Sequence, residues 1–391
     1  MAWPAVLVIV PVGIIFILSG LIVNLIQAVL FILVRPVSRS LHRKINKIVA
    51  ELLWLELIVL VDWWANLKIE VYADDETFEL LGKEHALVIS NHKSDLDWLI
   101  GWILAQFSSG YLWDLRSGCL GSALAVMKNE AKVLPIIGWS MWFSDYVFLE
   151  RSWGKDERTL QSGFEQLADF PMPFWLALFV EGTRFTQAKL QVAQEFAASR
   201  GLPVPKNVLI PRTKGFVSAV THLSSFVPAI YDATVAVANS QPAPTFLRIF
   251  RGQSSVIKVL VERHSMQELP ETADGIAQWC KDAFVTKDAM LEKYFDKDIF
   301  SDKKLQDIGR PKMSLFVMIF WSSFLAYATA RLFQWLSLFL ASWEVIAFSV
   351  AFLFLVTFIM QILIQSSESE RSTPATNFKL SEGTRQSLLP K

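Results

Sequence analysis

Residues 5–34 contain no charged side chain, and no other feature constrains the fold of this chain as strongly. As a single α-helix the segment would be about 45 Å long, whereas the hydrocarbon core of a bilayer is roughly 30 Å thick. The segment is too long for the apolar core of a signal peptide and has no basic region before it, so we do not expect it to be cleaved. It predicts either one tilted membrane-spanning helix or a helical hairpin bent at Pro11 or Gly20.

A basic flank follows this apolar segment. Residues 35–47 contain five lysines and arginines and no acidic residue, a composition that usually stays on the cytosolic side of a membrane. Toward the other end, residues 313–330 and 345–365 are two further uncharged segments of spanning length. The alternative, two buried core helices, is disfavoured by these lengths. A pair of spans returns the chain to its starting side, so we expect the link 331–344 to face the lumen and the tail 366–391 to face the cytosol.

Charge and cysteine content exclude several classes of function. The chain has 37 Lys and Arg residues against 37 Asp and Glu residues, so its formal net charge is zero. A general nucleic-acid-binding protein neutralises phosphates with an excess of basic residues, which this chain lacks. Its two cysteines, Cys119 and Cys280, show no CxxC or Cys/His spacing. We therefore expect no nucleic-acid partner, no disulfide framework and no metal site.

The middle of the chain alternates short apolar runs with amphipathic stretches. These patterns predict strands at 86–90, 175–180, 208–210, 227–231 with its continuation, and 256–261. They predict helices at 95–105, 157–168, 187–198, 215–222 and 272–295. Strands that alternate with helices indicate an α/β fold, with a central mixed sheet flanked by helices.

The segment 52–64 differs from the spanning segments. It is apolar and contains three tryptophans, but Glu56 and Asp62 interrupt it. This combination predicts an interfacial helix whose indoles lie at the level of the lipid head groups. The predicted organisation is then an N-terminal membrane segment with its basic flank (1–50), an interfacial helix and connector (51–84), an α/β domain (85–300), a linker with a transmembrane helix pair (301–365) and a polar tail (366–391).

The sequence Asn91-His92-Lys93-Ser94-Asp95-Leu96-Asp97 follows the first predicted strand of the middle region. Ser94 and Asp97 fit the Ser-x-x-acid pattern that caps the start of a helix. Five positions apart on one helix, two side chains lie about 140° apart and do not meet. His92 precedes the predicted helix, however, so the Asp97 side chain can reach back to it. The stretch is therefore either a capped helix start with a solvated histidine, or a base with its orienting acid.

Further polar clusters follow other predicted strands. In Glu181-Gly182-Thr183-Arg184, glycine allows the backbone to approach a ligand and arginine offers a planar fork for phosphate. A Glu–Arg pair that closes a turn is the alternative interpretation. Pro211, Arg212 and Lys214 repeat this layout before the predicted helix 215–222.

The segment 127–153 is the fourth cluster. It places Lys128 and Lys132 before a Pro- and Gly-containing turn and ends in Glu150-Arg151. Cations at strand ends beside helix starts suit the binding of an anionic head group.

Together these stretches resemble the glycerolipid acyltransferase family, and closely the plant microsomal 1-acyl-sn-glycerol-3-phosphate acyltransferases. That family is marked by a His, four residues and an Asp, which correspond here to His92 and Asp97. Its second block is similar to 128–151, its third to 181–184, and its fourth is centred on Pro211. The blocks occur in the family's order, and the resemblance extends over nearly the whole chain, including the apolar segments at both ends.

The resemblance implies acyl transfer from acyl-CoA to the sn-2 hydroxyl of 1-acyl-sn-glycerol 3-phosphate (lysophosphatidic acid). The products would be phosphatidic acid and CoA, in glycerophospholipid and triacylglycerol synthesis. It implies His92 as general base and Asp97 as the residue that orients it. The implied substrate-binding residues are Glu181, Gly182, Thr183, Arg184, Lys128, Lys132, Arg151 and Pro211.

The same resemblance implies the co-substrate, the partners and the cellular location of the protein. Acyl-CoA is a co-substrate, so we expect no further cofactor, and the expected partners are acyl-CoA, lysophosphatidic acid and the lipid bilayer. The implied location is the endoplasmic reticulum membrane, with several spans and the catalytic domain facing the cytosol. One departure from the family is that 107–115 resembles an inserted loop.

Other functions remain as alternatives. Another acceptor, such as a lysophospholipid or glycerol 3-phosphate, is the nearest one. A lipid hydrolase with a serine nucleophile would need a Gly-x-Ser-x-Gly motif, which the sequence does not contain. A transporter would concentrate polar residues inside the apolar spans, whereas here they lie in the middle of the chain.

Overall fold

The computed structural model describes residues 3–106, 118–150, 152–297 and 300–337, and some positions between 347 and 358. The α-helices in these ranges are α1 (Trp3–Leu33), α2 (Arg39–Val59), α3 (Asp75–Leu80), α4 (Asp97–Ala105), α5 (Ile137–Phe143), α6 (Trp153–Glu165), α7 (Gln187–Arg200), α8 (Thr213–Leu223), α9 (Phe246–Phe250), α10 (Ala273–Lys297) and α11 (Met313–Ser337). The strands are β1 (Lys68–Tyr72), β2 (Ala86–Ser90), β3 (Ala123–Lys128), β4 (Val147–Leu149), β5 (Trp175–Leu178), β6 (Ala229–Ala236), β7 (Val256–Ser265) and β8 (Leu305–Gln306).

Within the described ranges the strands form one sheet of eight, in the order β4-β3-β5-β2-β6-β7-β1-β8. Strands β4, β3, β5, β2 and β6 run parallel to one another. Strand β7 is antiparallel to β6 and parallel to β1, and β8 is antiparallel to β1. The predicted α/β fold with a central mixed sheet is therefore confirmed. Since β2 lies between two parallel neighbours, the carboxyl ends of β5, β2 and β6 meet at one edge of the sheet.

Helices cover both faces of this sheet. Successive residues of a strand point to opposite faces. In β6, Ala233 and Val235 line a cavity beside α4. Asp232 points to the opposite face of the sheet and binds Lys287 of α10. On the α4 side, α2 packs against α1, α4 and α11, and on the other side α8 packs against α6 and α10. One continuous apolar core joins these layers.

The predicted strand 208–210 is wrong. This segment is irregular, although it runs beside the end of β5. Its backbone N–H groups donate to carboxylates instead of to a strand: those of Asn207 and Val208 to Asp288, and that of Leu209 to Glu181. Because these side chains already satisfy the backbone donors, no ladder hydrogen bonds are needed there. Strands β1, β3, β4 and β8 were not predicted.

The predicted interfacial helix over 52–64 is also corrected. This segment is the second half of α2, which begins at Arg39 and continues into a π-helical turn at Leu60–Trp64. Trp54 is 1% exposed and packs on Trp102 of α4, with ring centroids 4.2 Å apart. Its indole therefore belongs to the core and not to a lipid interface. The predicted domain boundary between residues 50 and 51 falls inside α2.

Two helices, Ala5–Leu33 within α1 and Met313–Gln334 within α11, are long and apolar enough to cross a membrane. Helix α1 is continuous through Pro11, so the hairpin alternative is excluded. Only scattered positions of the second predicted C-terminal span, 345–365, are among the described residues, and the predicted loop 107–115 lies outside them.

Buried polar contacts join α1 to the rest of the protein. The hydroxyl of Ser19 donates to Glu56 of α2 at 2.7 Å, and Gln27 donates to Asn46 of α2 at 3.0 Å. Polar groups in an apolar interface are costly unless they are paired, so these contacts favour one docking position for α1. The second half of α1 is thus part of the frame that supports α2 and, through α2, helix α4.

Candidate active site

Asn91 determines where the chain leaves the sheet after β2. Its side chain is fully buried and exchanges two hydrogen bonds with the backbone of Val235 in β6, at 2.9 and 2.8 Å. The side-chain amide of Asn91 thereby forms the two hydrogen bonds that a further backbone residue of β2 would otherwise form with β6. The backbone turns away immediately afterwards, and His92 follows at the carboxyl edge of the sheet.

His92 and Asp97 are in contact. The Nδ1 atom of His92 lies 2.8 Å from Oδ2 of Asp97, and the same oxygen accepts a hydrogen bond from the backbone N–H of Ser94 at 2.9 Å. Helix α4 begins at Asp97, two positions later than predicted, so His92 lies in the turn before the helix. One carboxylate oxygen of Asp97 therefore binds both the backbone before the helix and the histidine ring.

The side chains of His92 and Asp97 differ in their exposure to solvent. The Asp97 side chain is 2% exposed, whereas that of His92 is 23% exposed. Burial raises the pKa of Asp97, and its hydrogen bonds to His92 and to the backbone of Ser94 oppose that shift. With Nδ1 bonded to the carboxylate, the neutral imidazole carries its proton on Nδ1 and a lone pair on Nε2. The arrangement is that of a general base with its orienting acid.

The loop after β5 encloses the His92 turn. The carboxylate of Glu181 accepts hydrogen bonds from the backbone N–H groups of His92 at 3.0 Å and of Leu209 at 3.3 Å. The backbone N–H of Phe185 donates to the carbonyl of His92 at 2.7 Å, and the ring of Phe179 lies against the imidazole. Three of the predicted blocks thus converge on one turn.

Glu181 has a different role from the one predicted. It is 2% exposed, and burial raises its pKa to about 8 while the two backbone donors oppose that shift. Because its carboxyl group faces the His92 turn and the 209 segment, we assign it to positioning these loops and not to contacting a substrate.

Gly182, Thr183 and Arg184 lie at the surface of the cleft formed by this loop. Gly182 has a φ of +68°, and a Cβ atom there would lie 2.9 Å from Cδ of Arg212. The glycine thus permits both the turn and the close approach of Arg212. Thr183 accepts a hydrogen bond from Nζ of Lys189 at 2.8 Å, and the same ammonium group donates to the carbonyl of Arg184 at 3.0 Å.

Arg184 forms an ion pair with Asp95. Its Nη1 donates to Oδ1 of Asp95, and the two side chains are 11% and 26% exposed. Asp95 stands inside the His92–Asp97 stretch, so this pair joins the first block to the third.

The fourth block, centred on Pro211, contacts the loop after β5. Pro211 is buried, and the backbone N–H of Arg212 donates to the carbonyl of Val180 at 2.7 Å. The proline thus serves packing, and Arg212 is the residue of this block whose side chain reaches Gly182.

The second block is less closely connected. Lys128, at the end of β3, and Lys132 are exposed. In the described part of the chain neither lysine hydrogen-bonds or ion-pairs with a residue of the other three blocks, so their part in substrate binding stays a prediction. Arg151 lies outside the described residues.

Sequence reasoning missed two cations of the site. Lys189 carried no signal beyond its place in the first turn of a predicted helix. Lys93 stands beside His92 in the sequence, and its ammonium group lies 4.7 Å from the ring centre of Phe295 and 5.4 Å from that of Phe185. Burial lowers the pKa of Lys93, against the attraction of Glu181 and Asp288. The neighbourhood of His92 was the signal that could have identified it.

One group of possible metal ligands lies elsewhere on the sheet. Oxygen or nitrogen atoms of Asp232, Glu262 and His264 lie within 4.8 Å of one another. The ammonium group of Lys287 already donates to Asp232 there. Because Lys287 already neutralises the Asp232 carboxylate, we assign this group to an ion pair and not to a metal site.

An apolar cavity of about 70 Å³ lies between α4 and the sheet and reaches Asp97. Its walls are mainly aliphatic and aromatic residues of α4, β2, β3, β5 and β6, among them Trp98, Gly101, Trp102, Ala125, Ala177 and Val235. An added Cβ on Gly101 would meet nothing within 4 Å. The His92–Asp97 pair therefore has two neighbours, the apolar cavity and a cationic cluster formed by Lys93, Lys189, Arg184 and Arg212.

Two family models and several known proteins match the sequence of this chain. Residues 68–238 match the model of the acyltransferase family, and residues 248–321 match the acyltransferase C-terminus model. The chain is 66% identical over 372 residues to 1-acyl-sn-glycerol-3-phosphate acyltransferase 3 of Arabidopsis thaliana, covering 95% of this chain and 96% of that protein. It is 36% identical over 321 residues to the human 1-acyl-sn-glycerol-3-phosphate acyltransferase gamma, covering 82% and 81% of the two chains.

Among solved structures, the chain is similar to the LPA acyltransferase PlsC of Thermotoga maritima, with a TM-score of 0.39 and 17% identity over 71% of this chain and 94% of that one. The assignment rests on the sequence relatives, which match nearly the whole length of the chain at high identity. By these matches the chain belongs to the acyltransferase family, within the group of 1-acyl-sn-glycerol-3-phosphate acyltransferases.

Proposed function

We propose that this protein transfers an acyl group from acyl-CoA to the sn-2 hydroxyl of lysophosphatidic acid, which yields phosphatidic acid and CoA. The observation that carries the proposal is the His92–Asp97 pair, with a 2.8 Å contact at Nδ1 and a partly exposed ring. A secondary alcohol is a poor nucleophile at neutral pH, so a base has to take its proton as it attacks. The names of the relatives support the acceptor.

In the proposed reaction His92 Nε2 takes the proton of the sn-2 hydroxyl while the oxygen attacks the thioester carbonyl. The carbon–sulfur bond then breaks, the ester forms, and the imidazolium returns its proton to the CoA thiolate. Asp97 stabilises the imidazolium between these steps. Since the acceptor supplies the nucleophile, neither an enzyme serine nor an enzyme cysteine is required.

The proposal is tested by assaying purified protein with a panel of acceptors and acyl-CoA donors. We expect turnover with lysophosphatidic acid to exceed that with glycerol 3-phosphate and with lysophospholipids that carry a phosphodiester head group. Preferred turnover of one of those other acceptors, or release of free fatty acid without acceptor, would contradict it.

The acceptor's phosphate is assigned to the cationic cluster beside His92. Replacing Arg184 by Ala should raise KM for lysophosphatidic acid roughly 10- to 100-fold, because charge-assisted hydrogen bonds to the phosphate are lost. KM for acyl-CoA should change little. Steady-state kinetics with each substrate varied in turn measures this. Arg200→Ala, at the exposed end of α7, is the matched control. An equal rise of both KM values would show a general distortion of the site.

The acyl chain of the donor is assigned to the apolar cavity beside α4. Gly101→Leu should shift preference toward shorter acyl-CoA donors, because the added side chain enters space that the cavity provides. We expect kcat/KM for long relative to short chains to fall roughly tenfold, since one methylene is worth ~1–3 kcal/mol in such a site. Gly154→Leu, on the exposed face of α6 and equally free of contacts, is the control. An unchanged dependence of kcat/KM on acyl-chain length would show that the cavity does not bind the acyl chain of the donor.

We also propose that the protein resides in the endoplasmic reticulum membrane with its catalytic domain in the cytosol. The basic flank after α1 supports this orientation. A tag inserted at Val37, which is 85% exposed between α1 and α2, should be cut by protease in intact microsomes, as should sites in the catalytic domain. Helix α11 extends to Ser337, so the second tag is placed within 338–344, where it should be protected. Protection of the catalytic domain would reverse the orientation.

A further inference from the structure

The ion pair between Arg184 and Asp95 has a consequence for substrate binding. Arg184 lies in the loop after β5 and Asp95 in the turn before α4, so the pair exists only because the two strands β5 and β2 are neighbours. Both side chains are partly exposed, which leaves the pair accessible from the cleft.

A guanidinium group binds carboxylate and phosphate in the same way, through parallel N–H donors in one plane. The carboxylate of Asp95 therefore occupies a position at Arg184 that suits an anionic oxygen of a ligand. The backbone on the Arg184 side is held in place, because Nζ of Lys189 donates to Thr183 Oγ1 and to the Arg184 carbonyl. An exchange of partners at Arg184 then requires side-chain movement only.

We propose that Asp95 competes with the acceptor's phosphate for Arg184 and thereby sets the affinity of the site for the acceptor. This inference rests on the proposed function. A phosphomonoester carries close to two negative charges at neutral pH and exchanges with the carboxylate. A phosphodiester head group carries one negative charge, the same as Asp95, and gains little from the exchange. Displacement of the same carboxylate costs every ligand that binds Arg184 the same free energy, so Asp95 lowers the affinity of the site for anionic head groups in general.

The test compares Asp95→Asn, which keeps the shape and removes the charge, with Asp95→Glu, which keeps the charge. In Asp95→Asn we expect KM for lysophosphatidic acid to fall about three- to tenfold, the size expected for a partly exposed ion pair. KM for a phosphodiester lysolipid should fall by the same factor or less, because it regains at most the free energy of the lost ion pair. KM for acyl-CoA should stay unchanged, and Asp95→Glu should keep the wild-type KM for lysophosphatidic acid.

Two results would overturn the inference. If Asp95→Asn raises KM for lysophosphatidic acid, Asp95 orients Arg184 and does not compete with phosphate. If KM for lysophosphatidic acid is unchanged, Asp95 does not compete with the phosphate for Arg184. Asp95→Ser, with the same loss of charge in a smaller side chain, decides the question if the asparagine variant does not fold.

A binding measurement separates this inference from the proposed function. Calorimetric titration of the full-length protein with inorganic phosphate requires no turnover. Asp95→Asn should bind phosphate more tightly than the wild type, and the gain should disappear in Asp95→Asn combined with Arg184→Ala. That result supports the competition even if the acceptor assay favours a different phosphomonoester. No gain in phosphate affinity would refute it even if lysophosphatidic acid is the acceptor.

Discussion

His92→Ala should lower kcat roughly 10²–10⁴-fold, the usual effect of removing a general base. Lysophosphatidic acid should still bind, because the cationic side chains around Arg184 and Arg212 are untouched. Steady-state kinetics with both substrates measures kcat and KM, and a melting curve of the same sample reports whether the protein is folded.

His222→Ala is the matched control for that variant. His222 lies on α8, is partly buried, and bonds through Nδ1 to the carbonyl of Ser218, so it resembles His92 in exposure and hydrogen bonding but lies outside the site. We expect its kcat to equal that of the wild type. If His92→Ala also keeps a near-normal kcat, the histidine is a solvated turn residue and the proposed mechanism is wrong.

Asp97→Asn should also lower kcat, roughly 10²–10⁴-fold, while both KM values change little. The amide has no charge with which to stabilise an imidazolium. It can also donate to Nδ1, which would move the histidine proton to Nε2 and remove the base. The structural loss is limited to part of a helix cap, about 1 kcal/mol, so the variant should remain folded.

Asp74→Asn separates capping from catalysis. Asp74 caps α3, where its Oδ1 accepts a hydrogen bond from the backbone N–H of Thr77 at 2.7 Å, and it lies outside the site. Equal small losses of melting temperature in the two variants, with a loss of kcat in Asp97→Asn alone, would confirm the orienting role. Inactivity of Asp97→Asn that appears only together with unfolding would leave Asp97 as a cap.

The contact between His92 and Asp97 could be predicted from the sequence because it is local. His92 and Asp97 are separated by four residues, and a strand end followed by a helix start leaves little choice for the direction of the turn between them. The long apolar segment was equally informative about α1, since only length and composition enter that argument. Whether α1 was one helix or a hairpin was not decided by these properties, because Pro11 is compatible with both.

The role of Glu181 could not be predicted, because the groups that it binds are distant in sequence. Its two backbone donors, at His92 and Leu209, come from segments that meet only after β5 has paired with β2. The error at 208–210 has the same cause. An apolar run of that length suits a strand, but the neighbouring carboxylate of Asp288 in α10 satisfies its backbone and leaves no need for a partner strand.

The sequence by itself determined the membrane-associated α/β class, the contact of His92 with Asp97, and the order of the cationic blocks, because each of these depends on residues close together in the chain. The tertiary structure alone decided the strand order β5-β2-β6, the contact of Arg184 with Asp95, and the apolar cavity that reaches Asp97. These features arise from strands and helices that are far apart in sequence. Their pairing depends on the packing of the whole core, and no local pattern of residues encodes it.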